Sequence, residues 1–289
     1  MTPGPSADFA DACAALCPGF RASAPVRLAR KSELLWGELD GIAVVAKRVR
    51  TPGPVWAWYF AREIAIYRAF ARTAPPVRIP RLIAADPDVL IIEALPGAPL
   101  ATLRHPAAPL APATIDRMIA IRDALAAYSE VVGDPPPPAV RRQLRERFLE
   151  DPTAPIDWVH DGLARAARRN LLDGAIADRA LAALASPHVA FAHGDLLLRN
   201  AIADGDDIAL VDWECAGPHV RDWDLALLWT QLAGAARGHL EARAGDRTFF
   251  ALCVFAIARE RKFLAAFGEP SQDKLALLAA DLASAAARI

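Results

Sequence analysis

The stretch FAHGDLLLRN, residues 191–200, combines features that neither a helix nor an ordinary loop explains. Gly194 and Asp195 are unfavourable inside a buried helix, and three consecutive leucines are unfavourable in an exposed loop. Five residues are enough for the chain to fold back on itself. We therefore predict a loop whose leucines face the core while the side chains of Asp195 and Asn200 converge on one point.

The apolar runs on either side of this stretch indicate where the loop begins and ends. HVAF precedes it and IALV follows it, and both are typical of short buried strands. We predict strands over residues 188–192 and 208–212, with Asp212 at the end of the second. Asn200 and Asp212 would offer oxygen ligands of the kind that Mg²⁺ prefers. Taken singly, each of these residues could equally be a turn former.

Composition excludes several classes of protein. The chain has 289 residues, a formal net charge of −1, and hydrophobic and charged fractions of 54% and 23%. The first 95 residues carry 12 basic and 9 acidic side chains and the rest carry 21 and 25, so no basic face for nucleic acid is expected. No apolar run approaches the length of a membrane span, and no signal peptide is expected.

The four cysteines fit neither a zinc site nor a disulfide framework. Cys13 and Cys17 are separated by three residues with no histidine nearby, and Cys215 and Cys253 lie far along the chain. Free thiols of this kind are typical of a reducing compartment, and the expected location is the cytoplasm.

The first third of the chain predicts a small antiparallel sheet with one helix. Residues 26–49 alternate as strands do, and Asp40-Gly41 between the runs is a strong hairpin signal. A helix is expected over residues 55–71 and a further strand over 88–93. Leu95-Pro96-Gly97 then interrupts the pattern.

The rest of the chain is predicted to be mostly helical. The expected helices cover residues 113–132, 139–149, 157–170 and 174–185, together with most of the last sixty residues. Residues 1–6 look disordered, and Pro135–Pro138 reads as a stiff connector. The fold class is therefore α+β, with a small N-terminal lobe over residues 1–95 and a larger helical lobe over residues 96–289.

Taken together, HGDLLLRN and LVDWECAGPHVRDWDLALL resemble motifs of the aminoglycoside phosphotransferase and choline kinase-like family, which has the protein-kinase-like fold. The resemblance is specific over residues 193–226. It implies that Asp195 is the catalytic base, that Asn200 and Asp212 hold Mg²⁺ on the phosphates of ATP or GTP, and that His193 supports the loop. It also implies that Asp224 braces the loop by accepting backbone N–H bonds, although an aspartate there could simply cap a helix.

A lysine and a glutamate in the first lobe predict an ion pair. Lys47 shares a strand face with Val45 and Val49, and Glu63 lies on a helical stripe that is otherwise aromatic. Burying a glutamate there is costly unless it is paired, and Lys47 is the natural partner. In the resembling family this lysine contacts the ATP phosphates. The alternative is that Lys47 extends to solvent and Glu63 lies at the edge of the stripe.

The resemblance also implies nucleotide-binding residues outside residues 193–226. Backbone groups of Glu93, Ala94 and Leu95 would bind the nucleobase. The glycine-rich loop expected before Lys47 is missing, and Lys31 and Ser32 would cover the phosphates instead.

Two charged residues near the motifs have open roles. Arg199 would help to neutralise phosphate or an anionic substrate, or would face solvent. Glu214 would be a second acid near the metal, or a solvent-facing glutamate.

The function that follows is the transfer of a γ-phosphate to a hydroxyl group of a small molecule, with Mg²⁺ as cofactor and ATP or GTP as cosubstrate. The substrate would be an antibiotic, such as an aminoglycoside or a nucleoside, in resistance or self-protection. Alternatives are a kinase of a metabolic alcohol or sugar and a catalytically silent nucleotide-binding protein of the same fold. A monomer or homodimer is expected, without nucleic acid or membrane as partner.

Overall fold

The computed structural model describes residues 5–29, 31–50, 53–102, 109–128, 135–148, 154–267 and 272–289. The chain divides into two compact units. The first contains the described residues up to Ala98 together with residues 202–215, and the second contains the remainder. None of the described helices is both long enough and apolar enough to cross a membrane.

The first unit is built on an antiparallel sheet. Its strands are β1 (Arg21–Ala22), β2 (Arg27–Leu28), β3 (Ser32–Leu39), β4 (Ile42–Val49), β5 (Leu82–Ala85) and β6 (Leu90–Glu93). Their order in the sheet is β1-β3-β4-β6-β5, and β2 also pairs with β3. The two-residue strand β7 (Ala98–Pro99) follows where the chain leaves this unit.

The hairpin predicted around Asp40-Gly41 is confirmed. β3 and β4 pair in continuous register from Ser32 opposite Val49 to Leu39 opposite Ile42. Asp40 and Gly41 have φ angles of 51° and 81°, as a type I′ turn requires at both central positions. This turn sets the register that puts Lys47 and its strand neighbours on defined faces of the sheet.

The two faces of the sheet have different partners. Val44 and Ala46 of β4 are buried in a cluster with Phe9 and Cys13 of helix α1 (Pro5–Leu16). Lys47, on the opposite face by alternation, contacts helix α2 (Pro54–Arg72). Helix α1 was not predicted. Its residues 5–6 fall in the stretch 1–6 that was predicted to be disordered, and residues 1–4 lie outside the described part of the chain.

Residues 202–215 belong to the first unit, although the sequence-based boundary at residue 95 would put them in the second lobe. They contain most of β9 (Ala201–Asp204), all of β10 (Asp207–Leu210) and a 3₁₀ turn over Trp213–Cys215. The Leu210 N–H donates to the carbonyl of Arg78, and the Trp213 ring packs on Phe70 of α2 with centroids 4.8 Å apart. These contacts over long sequence separations explain the assignment.

The second unit is mostly helical, as predicted. Its helices are α3 (Pro112–Ala126), α4 (Pro138–Phe148), α5 (Pro155–Arg168), α6 (Gly174–Ala183), α7 (Trp223–Trp229), α8 (Gly234–Ala244), α9 (Arg247–Phe267) and α10 (Gln272–Ala286). The helix predicted over residues 113–132 is α3, which ends at Ala126. Residues 129–132 of the predicted helix lie outside the described part of the chain. The predicted connector Pro135–Pro138 ends at the first residue of α4.

The strands around the motif include two that were not predicted, β9 and β11 (Gly217–Val220). β8 (Val189–Ala192) pairs in antiparallel register with β11. The second predicted strand, over 208–212, is β10 and ends at Leu210, and β9 lies between it and the loop. The short lengths of β9 and β11 left little periodicity from which to recognise them.

Candidate functional site

In the first unit, Lys47 is held between two carboxylates. Its Nζ donates to Oε2 of Glu63 and to Oδ1 of Asp212, at 2.6 Å in both cases. Glu63 is 1% exposed, and most of the α2 residues around it are buried as well. The ion pair predicted from the aromatic stripe is therefore present, and the alternative in which Lys47 extends to solvent is wrong.

Burial and charge act in opposite directions on this pair. Burial by itself would lower the pKa of Lys47, but the neighbouring Asp212 and Glu63 carboxylates outweigh it and raise that pKa above its usual value. Burial raises the pKa of Glu63, while the Lys47 ammonium acts to lower it. Lys47 is consequently a fixed positive charge at neutral pH.

Glu214 extends the same cluster. It is 6% exposed, and Lys31 donates a hydrogen bond to its Oε1. Its other carboxylate oxygen lies 3.9 Å from Nζ of Lys47. The solvent-facing alternative for Glu214 is therefore wrong, because the side chain is enclosed and paired with a lysine 183 positions earlier in the chain.

Three carboxylates of this cluster could hold a metal ion. One oxygen from each of Glu63, Asp212 and Glu214 lies within 4.8 Å of the others. Asp212 lies two residues beyond the end of β10, not within a strand as predicted, and has a φ of 66°. Aspartate is among the few non-glycine residues that tolerate this left-handed conformation. Carboxylate oxygens suit Mg²⁺, so the chemistry of this set fits the expected ion.

The residues expected to bind the nucleobase lie at the end of β6. The N–H of Glu93 donates to the carbonyl of Arg81, and the N–H of Ala94 donates to that of Ala43. Within the described residues, the Leu95 N–H has no protein acceptor. Ser32 is buried at the start of β3, where its carbonyl accepts from Ala29.

In the second unit, the motif at 191–200 has the conformation expected for it. Leu196, Leu197 and Leu198 are buried, while Asp195 is only half-buried. The Asn200 Nδ2 donates to the carbonyl of Asp195 at 2.9 Å and lies 3.5 Å from its carboxylate. The two polar side chains therefore converge while the leucines enter the core, and the Asn200 Oδ1 is left for another partner.

Side chains of α7 hold the start of this loop. Asp224 accepts from the N–H groups of His193 and Gly194 at 2.8 and 2.9 Å, which are the bonds expected of it. Trp223 Nε1 donates to the Gly194 carbonyl at 3.0 Å. Burial raises the pKa of Asp224, partly offset by His193 and the two N–H donors.

Arg199 is exposed, beside the buried Asn200. Its position is compatible with the solvent-facing alternative and does not test a role with phosphate or substrate.

The sequence analysis missed one residue that contacts the loop directly. Gln231 follows α7 by two residues, is 1% exposed, and bonds to backbone groups of Leu196 and Leu198. Its signal in the sequence is an amide inside the apolar run LALLWTQL, because a buried polar side chain needs partners.

Comparisons with known proteins indicate a family and a fold for this chain. The model of the phosphotransferase enzyme family matches residues 34–263. No curated protein matches the chain.

Solved structures with low sequence identity show a similar fold. Macrolide 2′-phosphotransferase MphH from Brachybacterium faecium is 18% identical, with TM-score 0.61 and 99% and 98% of this chain and that chain covered. A choline/ethanolamine kinase family protein from Mesorhizobium loti is 17% identical, with TM-score 0.59 and 98% and 94% covered. A thermostable mutant of aminoglycoside phosphotransferase APH(4)-Ia, in a ternary complex with AMP-PNP and hygromycin B, is 14% identical, with TM-score 0.60 and 99% of both chains covered. The predicted α+β, protein-kinase-like fold is confirmed.

Proposed function

Because this chain belongs to the phosphotransferase enzyme family, we propose that it transfers the terminal phosphoryl group of ATP or GTP to a hydroxyl group of a small molecule. The observation that carries the proposal is the double contact of Lys47 with Glu63 and Asp212. A buried lysine fixed by two acids is a preorganised positive charge of the kind that phosphoryl transfer requires.

The proposed nucleotide site uses residues of the first unit. Lys47 would contact the phosphates, held in place by Glu63. The Leu95 N–H, which has no acceptor among the described residues, would donate to the nucleobase, and the carbonyl of Glu93 would accept from it. Ser32 is buried, so we assign any side-chain contact with phosphate in this part of the chain to Lys31, which is half-buried and paired with Glu214.

Asp212 and Asn200 would be the ligands of Mg²⁺, and Glu214 would be a further acid beside it. Asp212 would supply a carboxylate oxygen, and Asn200 would supply the side-chain amide oxygen that its bond to Asp195 leaves unused. When bound, Mg²⁺ would neutralise charge on the phosphates.

Asp195 would act as the base toward the acceptor hydroxyl. Asp195 is half-buried, whereas the leucines after it are fully buried, so its side chain, unlike theirs, can be reached by a substrate. Asp224 would support this loop through the two backbone bonds already described, and His193 through its ring Nδ1, which accepts from the N–H of Asp195 at 3.3 Å.

The substrate proposal is an antibiotic, such as an aminoglycoside, a nucleoside or a macrolide, in a resistance or self-protection role. A macrolide 2′-phosphotransferase and an aminoglycoside phosphotransferase in complex with hygromycin B, both of the same fold, support it. The choline/ethanolamine kinase family protein supports the second candidate, a metabolic alcohol or sugar.

The test is a coupled assay of ADP or GDP release with Mg-ATP and Mg-GTP. The panel contains aminoglycosides, nucleoside antibiotics, macrolides, choline and simple sugars, with Asp195→Ala as the control. Turnover that this variant loses is the expected result and names the substrate class. Nucleotide binding without turnover on a broad panel would favour the silent nucleotide-binding alternative. Failure to bind either nucleotide would overturn the proposal.

A further inference from the structure

The side chain of Gln231 is built into the loop that carries Asp195 and Asn200. Its Oε1 accepts from the N–H of Leu198 at 2.9 Å. Its Nε2 donates to the carbonyl of Leu227 at 2.9 Å and lies 3.4 Å from the carbonyl of Leu196. One amide therefore connects the end of α7 to backbone groups on both sides of Leu197.

These contacts are made where water cannot replace them. Leu196 and Leu198 are at most 1% exposed, and Gln231 is equally enclosed. A buried backbone N–H that loses its acceptor is costly, so the loop would have to move to recover one. The amide thus determines where this part of the chain lies.

The loop is held at two points by the same region of the molecule. Asp224, near the start of α7, fixes the N–H groups of His193 and Gly194. Gln231, beyond the end of α7, fixes Leu196 and Leu198. Asp195 lies between the two points of attachment, and its carbonyl accepts both from Leu197 and from the Asn200 side chain.

We propose that Gln231 is a positioning residue for phosphoryl transfer, which sets the location of Asp195 and Asn200 through the backbone of Leu196–Leu198. This role rests on the function proposed above. Gln231 itself is bonded to backbone groups of the loop and of α7, so its loss should lower kcat by misplacing the base and the metal ligand, while metal-free nucleotide binding, which depends on Lys47, is retained. A displacement of about 1 Å in such a group can cost on the order of a hundredfold in rate.

Thr230 provides a matched control next to Gln231. It is 4% exposed and its hydroxyl donates to the carbonyl of Leu227 at 2.7 Å, the same carbonyl that Gln231 uses. Unlike Gln231, it has no hydrogen bond to residues 193–200 among the described contacts. Thr230→Val therefore removes a buried hydrogen bond at the same helix end without touching the loop.

The experiment compares Gln231→Met with Thr230→Val in the full chain. For Gln231→Met we expect kcat to fall by about tenfold or more below that of Thr230→Val, with the Kd for nucleotide in the absence of Mg²⁺ unchanged within about twofold. Equal kcat values in the two variants would overturn the proposal. If Gln231→Met does not fold, Gln231→Asn, whose amide is one methylene shorter and therefore does not reach the Leu198 N–H at hydrogen-bond distance, is read by the same criterion.

Hydrogen exchange supplies a readout that does not depend on turnover. The amide of Leu198 should exchange faster in the Gln231 variant than in Thr230→Val, while the amides of His193 and Gly194 keep their protection. Unchanged protection of Leu198 would refute the positioning role even if no substrate is found. Absence of turnover in the unmodified protein, with the expected exchange difference, would instead count against the proposed function alone.

Discussion

Lys47 shows at the scale of one residue how burial is made compatible with charge. Its ammonium group has two carboxylate partners at 2.6 Å, and the side chain is 11% exposed. An isolated ammonium would lose its proton in such a place, whereas this one is stabilised by Glu63 and Asp212. In the same arrangement, the lysine stabilises the charged forms of both Glu63 and Asp212.

We expect Lys47→Met to lower the free energy of unfolding by about 3 kcal/mol, because it leaves Glu63 buried without its cation. Adding Glu63→Gln should recover about 1 kcal/mol or more of that loss, since the unpaired charge is then removed. Urea unfolding of the single and double variants measures both values. If the double variant is less stable than Lys47→Met, the buried charge is not the source of the loss.

Asp195→Ala should reduce phosphoryl transfer by at least about a hundredfold, because general base catalysis contributes that much or more. Nucleotide affinity should stay within about twofold of the original, as expected for a residue that acts on the acceptor. Steady-state kinetics and nucleotide titration measure the two effects. The matched control is Asp178→Ala, on the exposed side of α6, which should change neither. Retention of near-normal turnover by Asp195→Ala would rule out the base assignment.

Asp224 should make stability depend on pH in a definite direction. Its folded-state pKa is raised by burial, so the folded protein holds this proton more strongly than the unfolded chain does. The stabilisation is present below the ordinary pKa of about 4 and is lost as the pH rises through the folded value. Asp224→Asn lacks this titration, so the unfolding free energy of the unmodified protein relative to the variant should fall as the pH rises above about 4. A relative stability that rises over this range would contradict the shift.

At the scale of elements, two glycines at turns of the first unit carry different constraints. Gly41 and Gly97 both have positive φ, of 81° and 98°. A Cβ on Gly41 would meet nothing within 4 Å, whereas one on Gly97 would lie 2.1 Å from the backbone oxygen of Ala203. Gly41 is therefore required for its conformation alone, and Gly97 also for the close approach of β9.

The pair predicts different costs for the same substitution. Gly41→Ala should destabilise the protein by about 1 kcal/mol, the cost of a left-handed conformation in a residue with a Cβ. Gly97→Ala should cost at least about 1 kcal/mol more, because the backbone of Ala203 must move. Thermal or urea unfolding of the two variants tests the difference. Equal costs would mean that the Gly97–Ala203 approach is not retained in solution.

At the scale of the whole molecule, the proposed function predicts that magnesium and nucleotide stabilise the chain together. A ligand at about 100 times its Kd adds about 2.7 kcal/mol to the unfolding free energy. Mg-ATP or Mg-GTP should therefore raise Tm, and chelation of the metal should reverse most of that increase. In Asp212→Asn the increase should become largely insensitive to chelator, because a carboxylate ligand is lost. A chelator effect that persists in full in this variant would move the metal site elsewhere.

The local features of this protein can be predicted from short stretches of its sequence. Asp40-Gly41 predicted the hairpin, and the 3–4 spacing of apolar residues predicted most of the described helices. The stretch HGDLLLRN predicted a loop with buried leucines and converging polar side chains. The sequence also paired Lys47 with Glu63, because a glutamate within an aromatic stripe needs a cation. Each of these follows from a short-range pattern or from a single unmet requirement for a partner.

Features that depend on contacts between distant residues could not be predicted from the sequence and are seen in the folded chain. The assignment of residues 202–215 to the first unit, the pairing of β8 with β11, the enclosure of Glu214 by Lys31 and the attachment of the loop to Gln231 are of this kind. Short strands have too little periodicity to show their partners, and a polar side chain in an apolar run reveals that it needs a partner but not which one. The physical reason is that burial and pairing are settled by packing over the whole chain.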